Sequence, residues 1–157
     1  MPNLMTPRKL LAALAFAALA PTALAANHVV EMLDADGEAT MAFKPMYLKV
    51  QPGDSITFKP THKSHYVKLM TAPQDVKKFT SKEDEEYTVT LDKPGLYFYV
   101  CPPHMMMAMI GAIQVGSGAA VAEQIPANVK VVNNLRSRMI VNAERADALI
   151  GHIEEAQ

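Results

Sequence analysis

The chain has 157 residues, of which 15 are basic and 16 are acidic, so its formal net charge is −1. This balance argues against a nucleic-acid partner, which would call for a clustered excess of basic residues. The length is enough for one domain of ordinary size with a proper hydrophobic core. The single cysteine, Cys101, excludes an internal disulfide, so its thiol is idle, reactive or a metal ligand.

The first 25 residues have the features of a secretory signal peptide. Arg8 and Lys9 precede an apolar run of eleven residues, Leu10 to Ala20, and Ala23-Leu24-Ala25 matches the small-x-small pattern of a signal-peptidase site. The run is too short to cross a bilayer, which takes about 20 residues. We therefore expect export and a mature chain of 132 residues, Ala26 to Gln157, folded as a single domain.

Between His28 and Val115, short runs with strand character alternate with turn signals. Asp36-Gly37, Pro52-Gly53-Asp54 and Lys93-Pro94-Gly95 mark three of the turns. The predicted strands are Val29–Leu33, Met46–Val50, Ser55–Phe58, Tyr66–Met70, Tyr87–Leu91, Leu96–Cys101 and Met109–Val115. Seven or eight short strands separated by Gly and Pro predict an all-β Greek-key sandwich.

The pattern changes after Gly116 and Gly118. Ala119 to Ile125 predicts one or two helical turns that stop at Pro126. Beyond it, apolar residues recur at spacings of three and four, which predicts one amphipathic helix or two, packed against the sandwich. This stripe comprises Val132, Leu135, Met139, Ala143, Ala146, Ile150 and Ile153. Residues 118–157 are therefore predicted to form a helical C-terminal extension.

The nine residues from Cys101 to Met109 contain a thiol, an imidazole and several thioethers. They join two predicted strands, so they form a loop at one end of the sandwich, and two prolines make that loop stiff. Cys101, His104 and Met109 are soft to borderline ligands, the kind that suits copper in both oxidation states. Such a site needs a second imidazole. His65, which opens a predicted strand 36 residues before Cys101, can approach it across the sheets.

Two other interpretations of Cys101 stay open on the residues alone. In the first interpretation, Cys101 is an idle buried thiol, because free cysteine is among the most buried residue types. In the second, Cys101 and His104 form a catalytic dyad. This dyad would give no function to His65 or Met109, and the sequence offers no group that would orient it. Three further histidines are assigned no metal: His28, His62 and His152.

The segment around Cys101 resembles the ligand loop of the cupredoxins. Cys-x-Pro-His, with Met five residues after the His, is similar to their pseudoazurin, plastocyanin and amicyanin branches. Pro52-Gly53-Asp54 with the strand after it resembles a turn of the same family, and Gly95 to Cys101 is similar to its aromatic approach to the cysteine. Plastocyanins stop soon after the last strand, whereas pseudoazurins carry a helical extension. The roughly 40 residues after Gly116 therefore favour the pseudoazurin branch.

This resemblance implies a cofactor and a function. It implies one type 1 copper ion per chain, held strongly by His65, Cys101 and His104 and weakly by an axial Met109. It implies a carrier of single electrons, not an enzyme, that works in the periplasm as a monomer. The implied partners are redox proteins, with copper nitrite reductase the first candidate, and the mature chain is expected to have no membrane span.

Two residues depart from the pseudoazurin pattern. Tyr66 stands where pseudoazurins usually have Asn after the first ligand His, which removes an amide that helps to tie the ligand loops together. Val100 stands where they often have Lys, which weakens a basic docking ring. The resemblance also places Met41 at the methionine that packs near His104.

Met105, Met106 and Met107 are interpreted as an apolar surface around His104 and not as extra ligands. A second possible function, a copper-delivery or storage protein, would use this methionine run, bind Cu(I) without colour and tolerate Cys101→Ala. A third is a metal-free adhesion module. Four lysines form either a mixed solvated face or a basic rim for an acidic redox partner. They are Lys63, Lys77, Lys78 and Lys82.

Overall fold

The structure, a computed structural model, describes residues 24–157. The predicted signal peptide, Met1–Ala25, lies outside these residues except for Leu24 and Ala25, which precede the first strand. Eight strands form two four-stranded sheets, as the sequence predicts, and helices follow them in the C-terminal region. The strands are β1 Asn27–Asp36, β2 Ala39–Lys44, β3 Tyr47–Val50, β4 Asp54–Pro60, β5 Lys68–Thr71, β6 Tyr87–Leu91, β7 Gly95–Val100 and β8 Ile110–Val115.

Each sheet contains strands from both the earlier and the later part of the strand region. The first sheet has the order β2-β1-β4-β6 and the second has the order β3-β8-β7-β5. β1 is parallel to β4 and β3 is parallel to β8, whereas the other neighbouring strands are antiparallel. The predicted ligand loop lies between β7 and β8, adjacent strands of the second sheet, so its two ends are fixed by the same antiparallel ladder.

The second sheet is covered on both faces. All six residues of β7 and all six of β8 are buried, because side chains that alternate along a strand enter two different cores. Tyr97, Tyr99 and Cys101 pack in the core between the sheets. Phe98 and Val100 belong to the core beneath the C-terminal helices.

One strand is missing from the sequence prediction, and another begins at a different residue than predicted. β2 was not predicted, because Met41 has a positive φ of 50° and its buried residues, Ala42 and Phe43, are adjacent instead of alternating. The strand predicted at Tyr66–Met70 is β5, which begins two residues later at Lys68.

The C-terminal helices are α1 Ala119–Ala122, α2 Ile125–Arg136 and α3 Glu144–Glu154. The expectation that Pro126 ends a helix is wrong. Pro126 lies in the first turn of α2, where the missing N–H has no intrahelical partner to lose. Of the stripe predicted for one helix or two, the residues up to Leu135 lie in α2 and those from Ala146 lie in α3, whereas Met139 and Ala143 lie in the connection between the helices. Leu149, outside the predicted stripe, is buried, whereas Ile150 is only partly buried.

The two longer helices are fastened to each other and to the second sheet. Arg136 donates two hydrogen bonds to the carboxylate of Asp147, one of them Nη2 to Oδ2 at 2.7 Å. Val132 and Ile153 are fully buried in the core that includes Phe98. In residues 24–157 no helix has the length and apolar character that a membrane span requires.

Candidate metal centre

The segment after β7 folds into a short, tightly closed loop. Pro102–Met107 forms a 3₁₀ helix with proline in its first turn, and Cys101 immediately precedes it. The Cys101 N–H donates to the carbonyl of Met109 at 3.0 Å, so both ends of the loop are joined by a backbone hydrogen bond. Ala108 has a positive φ of 58°, which turns the chain into Met109 and β8.

Three predicted ligands converge on one point. One ligand atom each of His65, Cys101 and His104 lies within 4.8 Å of the other two. The Cys101 Sγ is 3.8 Å from His65 Nδ1 and 3.5 Å from His104 Nδ1, so both imidazoles present the same nitrogen to the thiol. His65 and Cys101 are fully buried, whereas His104 is half-buried, which places the cluster just beneath the surface.

The fourth predicted residue, Met109, lies beside this cluster. Its side chain is fully buried in the hydrophobic core that also contains Cys101. Its N–H donates to the carbonyl of His104 at 3.2 Å, so the backbone ties it directly to another candidate ligand. The structure thus brings all four predicted side chains into one His-Cys-His-Met site.

A carboxylate orients His65 from behind. His65 Nε2 lies 3.0 Å from Asp34 Oδ1, which fixes the proton on Nε2 and leaves Nδ1 free toward the sulfur. Metal-bound histidines commonly have such a partner for the other ring nitrogen. The Asp34 N–H in turn donates to Nδ1 of His62 at 2.9 Å. His62 is exposed, as expected for a surface residue.

Opposing effects act on the thiol of Cys101. Burial raises its pKa, while the backbone N–H groups of Tyr66 and His104 partly oppose this effect. A metal ligand must be deprotonated, so these donors help to hold the thiolate form. Because the donor at Tyr66 is a backbone group, its contact with the sulfur does not depend on the side chain at this position.

His104 is prepared to bind a cation in its neutral form. Burial lowers the pKa of His104, and the neighbouring His65 lowers it further. The two rings meet edge to face with centroids 4.9 Å apart. A neutral imidazole is the form that ligates metals, so this environment favours a ligand over a cationic side chain.

Sequence comparison shows to which family these features belong. Residues 29–116 match the copper binding proteins of the plastocyanin/azurin family. The chain belongs to this family. A pseudoazurin from Paracoccus pantotrophus is 45% identical over 107 residues, which cover 67% of this chain and 74% of the relative. The solved pseudoazurin of Sinorhizobium meliloti is 36% identical with a TM-score of 0.66, covering 83% of this chain and 98% of that one. That of Methylobacterium extorquens AM1 is 29% identical with a TM-score of 0.64, covering 81% and 98%.

The donor set agrees with membership of the plastocyanin/azurin family. A thiol, two imidazoles and a nearby thioether are a soft to borderline set that suits copper, whereas closed zinc sites use no thioether. Copper is therefore the cofactor, and the chain is a cupredoxin-type electron-transfer protein.

The methionines of the loop differ in exposure. Met106 is 38% exposed, whereas Met105 packs partly against the core beneath the helices. Met41, on β2, packs against the core that contains Cys101. Val100, which occupies a docking-ring position in the pseudoazurin pattern, is buried beneath the helices and contributes packing instead of surface charge.

The remaining histidines have other partners. His28 Nε2 lies 2.9 Å from the carboxylate of Asp54. His152 stacks on Tyr47 with ring centroids 5.1 Å apart. Neither contact involves His65, Cys101 or His104. Asp34 was missed by the sequence reasoning, because nothing in the chain order shows that β1 ends beside His65.

Proposed function

We propose that this chain is an exported carrier of single electrons whose copper is held by His65, Cys101, His104 and Met109. The observation that supports the proposal is the convergence of three ligand atoms within 4.8 Å beside a buried methionine. Copper supplies the redox chemistry, since it exchanges one electron between two stable oxidation states. The proposed destination of the electron is a periplasmic redox protein, with copper nitrite reductase as the first candidate.

The protein contributes a site that is rigid before the metal arrives. The loop is stiffened by prolines, closed by the hydrogen bond from Cys101 to Met109 and anchored in two buried strands. His65 is held by Asp34 and cannot turn without losing that contact. Ligands that keep their positions reduce the reorganisation that accompanies a change of charge.

His104 offers the route to the surface. It is half-buried, and the exposed Met106 lies two residues further along the same 3₁₀ helix. Flexible, polarisable thioethers suit a surface that binds partners briefly. We therefore assign electron exchange to the His104 edge and docking to the methionines around it.

Exposed basic residues form the second part of the docking proposal. The lysines Lys63, Lys77, Lys78 and Lys82 are all exposed. One of them is partly neutralised, because Lys82 Nζ lies 3.3 Å from a carboxylate oxygen of Glu85. In the proposal the others attract an acidic partner, an effect that raises association rates more than affinity.

Export is part of the same proposal. Ala25 is exposed and β1 begins at Asn27, so cleavage after Ala25 would leave every residue of β1 in the mature chain. The mature chain would then act in the periplasm as a single domain and a monomer. Mass spectrometry of the protein secreted from its host measures the N-terminus directly, and a first residue other than Ala26 would contradict the assigned cleavage site.

The copper proposal is tested with the purified mature chain and Cu(II). We expect one copper per chain and an intense visible absorption from thiolate-to-copper charge transfer, which Cys101→Ala and His65→Ala abolish. His62→Ala is the matched control, because this neighbouring histidine is exposed and should be dispensable for the colour. A copper-bound but colourless wild-type chain would contradict the carrier proposal and support copper delivery or storage.

The partner proposal is tested by stopped-flow oxidation of the reduced chain with purified copper nitrite reductase. Lys77→Glu with Lys78→Glu should slow the second-order rate at low salt, and the difference should shrink at high salt. Lys49→Glu with Lys130→Glu, at exposed lysines on β3 and α2, is the control with the same change in net charge. Equal rates for both variants would contradict the basic docking rim.

A further inference from the structure

The connection between α2 and α3 lies against the copper ligand loop. The N–H of Ile140, in this connection, donates to the carbonyl of Met106 at 2.9 Å. Asn142 Nδ2 lies 3.2 Å from Oγ1 of Thr40 on β2 and 3.5 Å from the carbonyl of Met107. The helical extension therefore contacts the loop through both its backbone and a side chain.

Arg145, in the first turn of α3, connects β2 with the end of the ligand loop. Its Nη1 donates to the carbonyl of Met41 at 2.6 Å and to that of Ala108 at 2.9 Å. Its Nη2 donates to the carbonyl of Thr40 at 3.0 Å. One guanidinium thus bridges β2 and the last turn of the ligand loop, a task that suits its planar set of donors.

The two residues that share Nη1 both have left-handed backbones. Met41 has a φ of 50° and Ala108 has a φ of 58°. Such conformations are costly for residues with a side chain and persist only where surrounding contacts hold them. Ala108 directly precedes Met109, so its backbone conformation sets the direction in which the Met109 side chain enters the core.

We propose that Arg145 is a positioning residue for the copper site, which holds Ala108 in its left-handed conformation and so directs Met109 toward the metal. The C-terminal extension is then part of the ligand scaffold as well as a cover for the second sheet. The inference rests on the proposed ligand set, because it gives Arg145 a role through Met109. Arg145 is half-buried, and burial lowers its pKa, yet a guanidinium keeps its charge and all its donors.

Hydrogen exchange in the metal-free chain tests the positioning role of Arg145 independently of copper. We expect exchange of the Met109 amide to be about tenfold faster in Arg145→Gln, as for the loss of one hydrogen bond from a charged donor. Arg145→Lys should show a similar increase, because the lysine side chain is one bond shorter and lacks the second nitrogen that donates to the Thr40 carbonyl. Arg138→Gln is the charge-matched control: Arg138 is exposed and makes no side-chain hydrogen bond within residues 24–157.

Two results would overturn the inference. In the first, the Met109 amide of Arg145→Lys exchanges as slowly as that of the wild type. A positive charge at this position would then suffice, and the planar guanidinium would not be needed. In the second, Arg136→Gln, which removes the ion pair between α2 and α3 without touching the loop, gives the same acceleration. With copper bound, Arg145→Gln should also shift the reduction potential and release copper to a chelator about tenfold faster than Arg138→Gln. A wild-type chain without the visible band contradicts the proposed function but leaves the exchange test intact.

Discussion

His65 owes its orientation to a charged partner on another strand. Asp34 Oδ1 accepts from His65 Nε2 at 3.0 Å, and the Asp34 side chain is about half exposed at 54%. A carboxylate behind a metal ligand makes the ligand more basic and places a negative charge near the metal. Both effects stabilise the more positive, oxidised state, so Asp34 is expected to keep the reduction potential low.

Asp34→Asn should raise the reduction potential. The amide oxygen can still accept from His65 Nε2, so the ring keeps its position while the negative charge is lost. We expect a rise on the order of 50 mV at low salt, which corresponds to about 1 kcal/mol for one electron. Protein-film voltammetry measures it. Asp36→Asn, a neutralisation two residues along β1, is the control, and equal potentials in the two variants would contradict the role of Asp34.

Met109→Gln should retain copper but lower the reduction potential, because the axial ligand tunes it and an amide oxygen favours the oxidised state more than a thioether does. Voltammetry and the visible spectrum report the change. Met106→Gln, at the exposed neighbour, should leave both nearly unaltered. If Met109→Gln has no effect on the potential, another methionine of the loop holds the axial position.

The sequence is informative about the ligands and silent about the residues that support them. Three of the four candidate ligands fall within nine residues, so their proximity is local and survives any error in the predicted fold. Asp34 and Arg145 reach the site from distant segments, His65 lying 31 residues beyond Asp34. Such contacts follow from strand order and helix docking, which periodicity alone does not specify.

Among the elements, β7 and β8 depend on one close contact, in which the Tyr99 ring packs directly over Gly111 of the neighbouring strand. A side chain at Gly111 would meet the Tyr99 ring at 2.6 Å, so glycine is required by the aromatic packed over it. The ring also contacts Phe43 and Phe58 edge to face, with centroids 4.9 and 5.0 Å apart. Its hydroxyl is buried without a hydrogen-bond partner among the described residues, and burial raises its pKa.

Tyr99→Phe should therefore stabilise the fold. The substitution removes a buried hydroxyl that gains no hydrogen bond on folding while it keeps the ring and its aromatic contacts. We expect the free energy of unfolding to rise by roughly 1 kcal/mol. Urea denaturation of the metal-free protein measures it. Tyr97→Phe is the control with the opposite sign, because the Tyr97 hydroxyl donates to the carbonyl of Lys93 at 2.8 Å. A loss of stability in Tyr99→Phe would indicate that water satisfies its hydroxyl.

Element boundaries depend on tertiary contacts that local patterns miss. β2 lacks the alternation of a strand because Met41 adopts a left-handed conformation, and that conformation is held by Arg145 from α3. Pro126 is read locally as the end of a helix, yet it opens α2. Strongly periodic segments such as Tyr87–Leu91 are found in the structure with the predicted bounds.

At the scale of the whole molecule, Asp54 fastens the beginning of the chain to the first sheet. The carboxylate, 5% exposed as a residue, accepts from the N–H groups of Ala26 at 2.8 Å and Gln51 at 2.9 Å. His28 Nε2 is its third partner at 2.9 Å. These contacts, that of Ala26 first, lower the pKa of Asp54 to about 2. Since the folded-state pKa is below its ordinary value, this stabilisation is present above pH ~4 and is lost as the pH falls toward 2.

Cleavage after Ala25 would strengthen this contact, because the Ala26 nitrogen would become a cationic α-ammonium group opposite the Asp54 carboxylate. A chain that begins at Ala26 should consequently unfold at a higher temperature near neutral pH than one with Gly-Ser added before Ala26. The difference should disappear in Asp54→Asn, and in the wild type it should shrink as the pH is lowered from about 5 to 2. Thermal unfolding followed by circular dichroism compares the four proteins. If the two N-termini give equal stability with Asp54 present, the ammonium does not pair with it, and the hydrogen bonds of Gln51 and His28 suffice to hold the carboxylate.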